Sequence, residues 1–230
     1  MSRPTRIYIS GDSTAANYPA EQSPMAGWGQ MLPELLQGEI AVFNEASCGR
    51  SSKSFLDEGR LNPIAESIQQ GDYLFVQFGH NDQKQDAARH TDADTTYLDH
   101  LMQYIALARK SGATPVLFTS VARRHFNADG ELVPTHGAYP EAMKRLAREQ
   151  QVLLVDLEAK TEALYRALGP ESSKKLFVWL EAGQHPNYPK GVQDNTHFNE
   201  YGAKEVAGLA VAGLAEVCPA LRPFVKSIQS

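Results

Sequence analysis

The stretch Arg6-Ile7-Tyr8-Ile9-Ser10-Gly11-Asp12-Ser13-Thr14 is a short apolar run that passes directly into a glycine-bearing polar turn. The same pattern recurs along the chain. Ile40 to Asn44 leads to Cys48-Gly49-Arg50-Ser51-Ser52, and Tyr73 to Phe78 leads to Gly79-His80-Asn81-Asp82. Pro115 to Ser120 and Val152 to Leu157 complete a set of five runs rich in strand formers. They are mostly continuous apolar runs, as expected of parallel strands covered on both faces. Gly27 to Gln37, Asp94 to Lys110, Tyr139 to Gln150 and Asn199 to Val217 instead carry apolar residues at helical spacing. Alternation of the two periods predicts an α/β fold, a three-layer α/β/α sandwich around a five-stranded parallel sheet. Val121 to Ala138 and Ala182 to Phe198 are the longest irregular stretches and are expected to line a site, since long loops within a compact domain are usually functional.

The chain has 230 residues, 42% of them hydrophobic and 21% charged, which suits one folded domain over 1–230 and carries no signature of disorder. A net charge of -5 with no block of Lys and Arg argues against nucleic acid or an anionic membrane as partner. No run approaches the roughly 20 apolar residues of a membrane span. The first strand begins by Arg6, leaving no room for a signal peptide, so the cytoplasm is the expected compartment. Cys48 and Cys218 are too few for a disulfide framework or a metal site and are expected as reduced, mostly buried thiols.

In an open parallel sheet, ligands bind at the carboxyl ends of the strands, where the polar turns gather. A serine hydroxyl is a poor nucleophile until a positioned base takes its proton, so Ser13 needs a histidine with a carboxylate behind it. Asp194-Asn195-Thr196-His197 offers both on one short turn. The backbone N–H groups of Ser13 and Gly49 and the side-chain amide of Asn81 can supply an oxyanion hole. Taken singly, Gly49 also reads as a turn glycine and Asn81 as a helix cap. Asp12 reads as structural, tying the Ser13 turn to nearby N–H groups.

Together, Gly11-Asp12-Ser13-Thr14, Gly49-Arg50-Ser51-Ser52-Lys53-Ser54-Phe55, Phe78-Gly79-His80-Asn81-Asp82-Gln83-Lys84 and Pro186-Asn187-Tyr188-Pro189 leading into Asp194 to Phe198 resemble the SGNH or GDSL hydrolases. Order and spacing agree over the whole chain. Within that superfamily the sequence looks most like the rhamnogalacturonan acetylesterases, which remove acetyl groups from pectin sugars. The resemblance implies a flavodoxin-like sheet, a catalytic triad of Ser13, Asp194 and His197, an oxyanion hole of Ser13, Gly49 and Asn81, and no metal or other cofactor. Ala15 stands where a Gly-x-Ser-x-Gly elbow has its second glycine, which disfavours the ordinary α/β-hydrolase arrangement.

Two readings compete. A metal-dependent phosphoesterase would draw ligands from His80, Asp82, His185, Asp194 and His197, although no pair of them has the helical spacing of a hydrolytic zinc motif. A non-catalytic carbohydrate-binding module would stack sugars on Trp28, Trp179, His185 and Tyr188. The expected partner in the esterase reading is an acetylated oligosaccharide or polysaccharide. Arg123, Arg124 and Tyr188 are candidate substrate-binding residues, the arginines as partners for a galacturonate carboxylate. The four loops around the expected site carry seven Lys and Arg against six Asp and Glu, so their rim is less acidic than the rest of the molecule.

Overall fold

Residues 3–226 are described by a computed structural model. Five strands, β1 (Thr5–Gly11), β2 (Ile40–Asn44), β3 (Tyr73–Gln77), β4 (Thr114–Phe118) and β5 (Leu153–Val155), form one sheet in the order β2-β1-β3-β4-β5. All the pairings are parallel, with Gly11 level with Gln77 and Gln77 level with Phe118. The loops after β1, β2 and β3 therefore emerge side by side at one edge, the order reversing between β1 and β3.

Side-chain alternation builds a layer on each face. Ile7, Ile9, Phe75, Val116 and Phe118 pack with Trp28 and with helix α7 (Glu200–Val217) through Ala203, Val206, Ala207, Ala210 and Val211. Tyr8, Leu74, Val76 and Leu117 point the other way, onto α4 (Thr96–Lys110) and α5 (Tyr139–Glu149). Every strand residue named here is buried, which is why the runs read as continuously apolar. The fold is the expected three-layer α/β/α sandwich.

Several elements differ from the sequence reading for identifiable reasons. Gly27 to Gln37 is not one helix: α1 (Trp28–Met31) hands over to a 3-10 turn at Leu32–Leu35, where Pro33 removes a backbone donor. Two short helices, α2 (Ser52–Asp57) and α3 (Asn62–Ser67), follow β2. Val152 to Leu157 narrows to β5 because the Asp156 side chain caps helix α6 (Leu157–Ser172) by accepting from Ala159 N–H at 3.2 Å. Ala182 to Phe198 is irregular only in its first half. Val192–Phe198 forms β7, paired antiparallel with β6 (Phe177–Leu180) in a small separate sheet.

This small sheet is locked to α7 by Asn199, whose Oδ1 accepts from Gly202 N–H at 2.9 Å while its Nδ2 donates to Phe177 O at 2.8 Å. The helix start lies so close to the 3-10 turn before β6 that a Cβ on Gly202 would stand 1.8 Å from Leu176 O. Gly202→Ala is therefore expected to cost about 2–3 kcal/mol through forced separation of the two backbones. A thermal melt should register a fall of roughly 4–10 °C; an unchanged Tm would show that this approach is not rigid.

Candidate active site

The turn after β1 is built on Asp12. Its Oδ1 accepts from Thr14 N–H at 2.9 Å and from Thr14 Oγ1 at 2.8 Å, and its backbone oxygen accepts from Ala15 and Ala16 N–H. This lifts Ser13 out of the sheet edge with its hydroxyl only half-buried, while Asp12 and Thr14 are sealed beneath it. Burial pushes the Asp12 carboxyl up from its ordinary value, against the hydrogen bonds from Thr14. Gln77, at the end of β3, donates to Thr14 Oγ1 at 2.7 Å and accepts from the Trp28 indole at 2.6 Å. Sequence reasoning missed Gln77, although a lone amide closing an apolar run was the available signal.

Ser13 Oγ lies 3.0 Å from His197 Nε2, and His197 Nδ1 lies 2.7 Å from Asp194 Oδ2. The other carboxylate oxygen of Asp194 accepts from the N–H groups of Thr196 at 2.7 Å and His197 at 2.8 Å. Burial pushes the Asp194 carboxyl up, yet the hydrogen bonds and charge of His197 together outweigh it and hold the group below the usual carboxylate value. The arrangement fixes the His197 ring, directs its Nε2 lone pair at Ser13 and keeps a negative charge behind it.

The second and third turns meet the first. Ser47 N–H donates to Gly11 O at 2.9 Å, and Asn81 Nδ2 donates to Arg50 O at 3.0 Å, leaving one amide hydrogen of Asn81 uncommitted. Gly49 holds φ +79°, a left-handed conformation that favours glycine, and a Cβ there would meet nothing within 4 Å. Conformation rather than crowding is thus what asks for glycine, and the space beside it is open. Asp82 ties the two turns together, accepting from Ser52 N–H at 3.0 Å. Its carboxyl is pushed up to about 7 by burial.

A model of the GDSL-like lipase/acylhydrolase family matches residues 9–204. The chain belongs to that family. It is 50% identical over 217 residues to the rhamnogalacturonan acetylesterase RhgT of Bacillus subtilis, covering 94% of this chain and 92% of the relative. It is 42% identical over 212 residues to the probable rhamnogalacturonan acetylesterase YesY of the same organism, covering 92% and 93%. Among solved structures, Bacillus subtilis YxiM superimposes with a TM-score of 0.79 at 30% identity, covering 96% of this chain but 58% of that longer one.

In this GDSL-like acylhydrolase the remaining candidates divide. Arg124 is not free to meet a substrate carboxylate: it is 7% exposed, and its guanidinium donates to Asn195 Oδ1 at 2.7 Å, Ser173 Oγ at 3.0 Å and Pro170 O. Its backbone N–H also donates to Asn195 O at 2.9 Å, so Arg124 fastens β7 to the loop after β4. Arg123 is half-buried, donating to His80 O at 3.2 Å and to Thr135 Oγ1 at 3.3 Å. The Tyr188 hydroxyl donates to Gln22 O at 3.1 Å, and Asn187 donates to Ala20 O and Ser23 O, clasping that loop to the segment before α1. The Tyr188 ring stays partly exposed. Cys48 is exposed, contrary to expectation, because it precedes the left-handed Gly49 at the lip of the site; Cys218 is buried.

The sugar-binding reading loses its two tryptophans to other contacts. Trp28 is fully buried on Gln77, and the Trp179 indole donates to Asn195 Oδ1 at 3.1 Å with Arg124 and Lys174 against its ring. Among the described residues no group of three or more His, Cys, Asp or Glu is placed to hold a metal ion.

A carboxyl raised in the folded state binds its proton more tightly there than in the unfolded chain. The stability due to Asp82 is therefore fully present below about pH 4, its unfolded range, and is lost as pH climbs through about 7. Relative to Asp82→Asn, wild-type unfolding free energy should fall by a few kcal/mol across that window, at about 1.4 kcal/mol per unit. Paired urea titrations from pH 4 to 8 measure it, and a flat difference would place the Asp82 carboxyl at an ordinary value.

Proposed function

We propose that this chain is a serine esterase that removes O-acetyl groups from rhamnogalacturonan-type pectic oligosaccharides through an acetyl-enzyme on Ser13. The continuous Ser13–His197–Asp194 hydrogen-bond chain, at 3.0 and 2.7 Å, carries the reading. It is supported by the 50% identity to RhgT over nearly the whole chain.

In the first half-reaction Ser13 Oγ attacks the acetyl carbonyl carbon as His197 Nε2 takes the hydroxyl proton. Negative charge gathers on the carbonyl oxygen, where the N–H groups of Ser13 and Gly49 and the free amide hydrogen of Asn81 stabilise it. Collapse breaks the bond to the sugar oxygen, which leaves with the proton returned by His197. Water, deprotonated by the same ring, then attacks the acetyl carbonyl, and acetate and free Ser13 result. Asp194 stays ionised throughout, holding the imidazole and stabilising its charged form.

The half-exposed nucleophile suits the acceptor. A sugar leaving group of an oligosaccharide needs room beside Ser13, whereas a fatty acyl chain needs an apolar trough to leave water. Three of the rim arginines are engaged elsewhere: Arg50 is paired with Glu58, Arg89 with Asp86, and Arg124 is buried. Arg123, half-buried among neutral acceptors, is the guanidinium we assign to a uronate.

Ser13→Ala and His197→Ala should each lower kcat by a factor on the order of 10⁴ or more, with Asp194→Ala costing less. Asn81→Ala should lower kcat by roughly 10²–10³ with little change in KM, because its amide binds the developing oxyanion more strongly than the ground-state carbonyl. Acetate release by purified variants with unchanged circular dichroism is the measurement. Wild-type turnover by Ser13→Ala would exclude the acetyl-enzyme.

Substrate class is decided by kcat/KM on acetylated rhamnogalacturonan oligosaccharides beside acetylated xylo-oligosaccharides and long-chain p-nitrophenyl esters. The pectic fragments should be preferred, and Arg123→Gln should narrow their advantage. Equal rates on neutral xylan fragments would reject the pectic assignment and leave the esterase standing.

A further inference from the structure

Behind the Gly79–Asp82 turn runs a chain of titratable side chains that the ester chemistry does not use. Glu158 Oε1 lies 2.9 Å from His136 Nδ1, and His136 Nε2 lies 3.0 Å from His80 Nδ1. The two rings meet edge to face, at 84° with centroids 4.4 Å apart, and are 1% and 3% exposed. Glu158 is fixed at the start of α6 by its N–H, which donates to Thr119 Oγ1 at 2.9 Å. It lines a surface cleft with Glu141, Lys144 and Glu162, so the chain reaches from the surface to the back of the site. His80 Nε2 is buried without a protein partner.

One proton on each imidazole gives these bonds a single direction. The Glu158 carboxylate only accepts, so His136 Nδ1 carries a hydrogen. With one proton on each imidazole, His136 Nε2 accepts, His80 Nδ1 donates, and His80 Nε2 is a bare lone pair. Burial holds His80 well below the usual imidazole range, and the nearby Arg123 and Lys84 charges act the same way, which favours a single proton on that ring.

We propose that His80 is a positioning residue for Asn81, held in its Nδ1–H tautomer by the Glu158–His136 pair. The inference rests on the reading of Asn81 as an oxyanion donor. Asn81 stands between two anchored neighbours: the Asp82 carboxylate is bound by Ser52 N–H, and the His80 ring is bound by His136. The turn opens at Gly79, whose φ of +143° lies where side chains are rarely found, so its backbone supplies little restraint of its own. Arg123 adds a hydrogen bond to His80 O at 3.2 Å. Release of the ring frees one side of the turn, and a displacement of about 1 Å in a reacting or stabilising group costs up to roughly 10²-fold in rate.

The test combines spectroscopy of the wild type with a double-mutant cycle. Two-bond ¹H–¹⁵N correlation spectra of the intact protein should show His80 protonated at Nδ1 and unprotonated at Nε2. His80→Leu should lower kcat about 10- to 100-fold at unchanged KM. His80→Asn, whose amide restores a donor near the Nδ1 position, should recover most of that loss. In an Asn81→Ala background His80→Leu should cost nothing further, because its effect passes through the missing amide. An Nε2–H tautomer, or losses that multiply in the double variant, would overturn the proposal. Should Asn81→Ala keep wild-type kcat, the oxyanion reading fails, and the positioning role fails with it. Should His80→Leu not fold, the wild-type tautomer and His80→Asn alone and with Asn81→Ala decide: Nδ1–H with kcat near wild type sustains the inference, and Nε2–H or multiplied losses end it.

Discussion

The side-chain amide of Gln77 accepts from the Trp28 indole and donates to Thr14 Oγ1 and, at 3.3 Å, to Asp12, with all four residues out of contact with water. Each of those polar groups would cost about 1–3 kcal/mol if left buried and unpaired. The amide is therefore the floor on which the Ser13 turn stands. It also sets a relation between layers, since Trp28 belongs to the segment that packs under α7 and Gln77 belongs to the sheet. Because Gly11 and Gln77 are paired in register, the nucleophile turn and the oxyanion turn start from the same level.

The three aspartates around the site are sorted by their surroundings rather than by their chemistry. Asp12 and Asp82 are fully buried, and desolvation raises both. Asp194 keeps some contact with water and takes hydrogen bonds from His197 and Thr196, which hold it below its ordinary value. One strong negative charge is thus placed where His197 must become positive, while burial disfavours charge on the two carboxyls under Ser13 and Asn81.

The layers were legible because their signal is periodicity. Ile7, Ile9 and Tyr8, or Leu74, Phe75 and Val76, cannot be buried on both faces except between helices. The site turns were legible because glycine and small polar residues end those runs at the sheet edge. The β6–β7 pair was not legible: Val192-Gln193-Asp194-Asn195-Thr196-His197-Phe198 has apolar residues only at its ends, and its strand geometry comes from pairing with Phe177–Leu180. Helix α6 went unread although Leu157, Thr161 and Tyr165 fall at helical spacing; Gly169 and Pro170 break its backbone only near the end. Arg124 was misjudged because a charged pair at a loop start normally faces solvent. Its burial depends on Asn195, Ser173, Phe126 and Trp179 converging from distant parts of the chain, which spacing cannot reveal.

Ser13 and His197 are separated by 184 positions, with the whole doubly wound sheet threaded between them. During synthesis the serine leaves the ribosome well before His197 and remains an ordinary alcohol until β7 has followed and docked. A chain that stops short of β7 holds Ser13 without the base that would make it a nucleophile. A truncated product that lacks β7 is then inert toward esters rather than promiscuous, and the appearance of hydrolysis reports arrival of the small sheet beside the first turn of the large one.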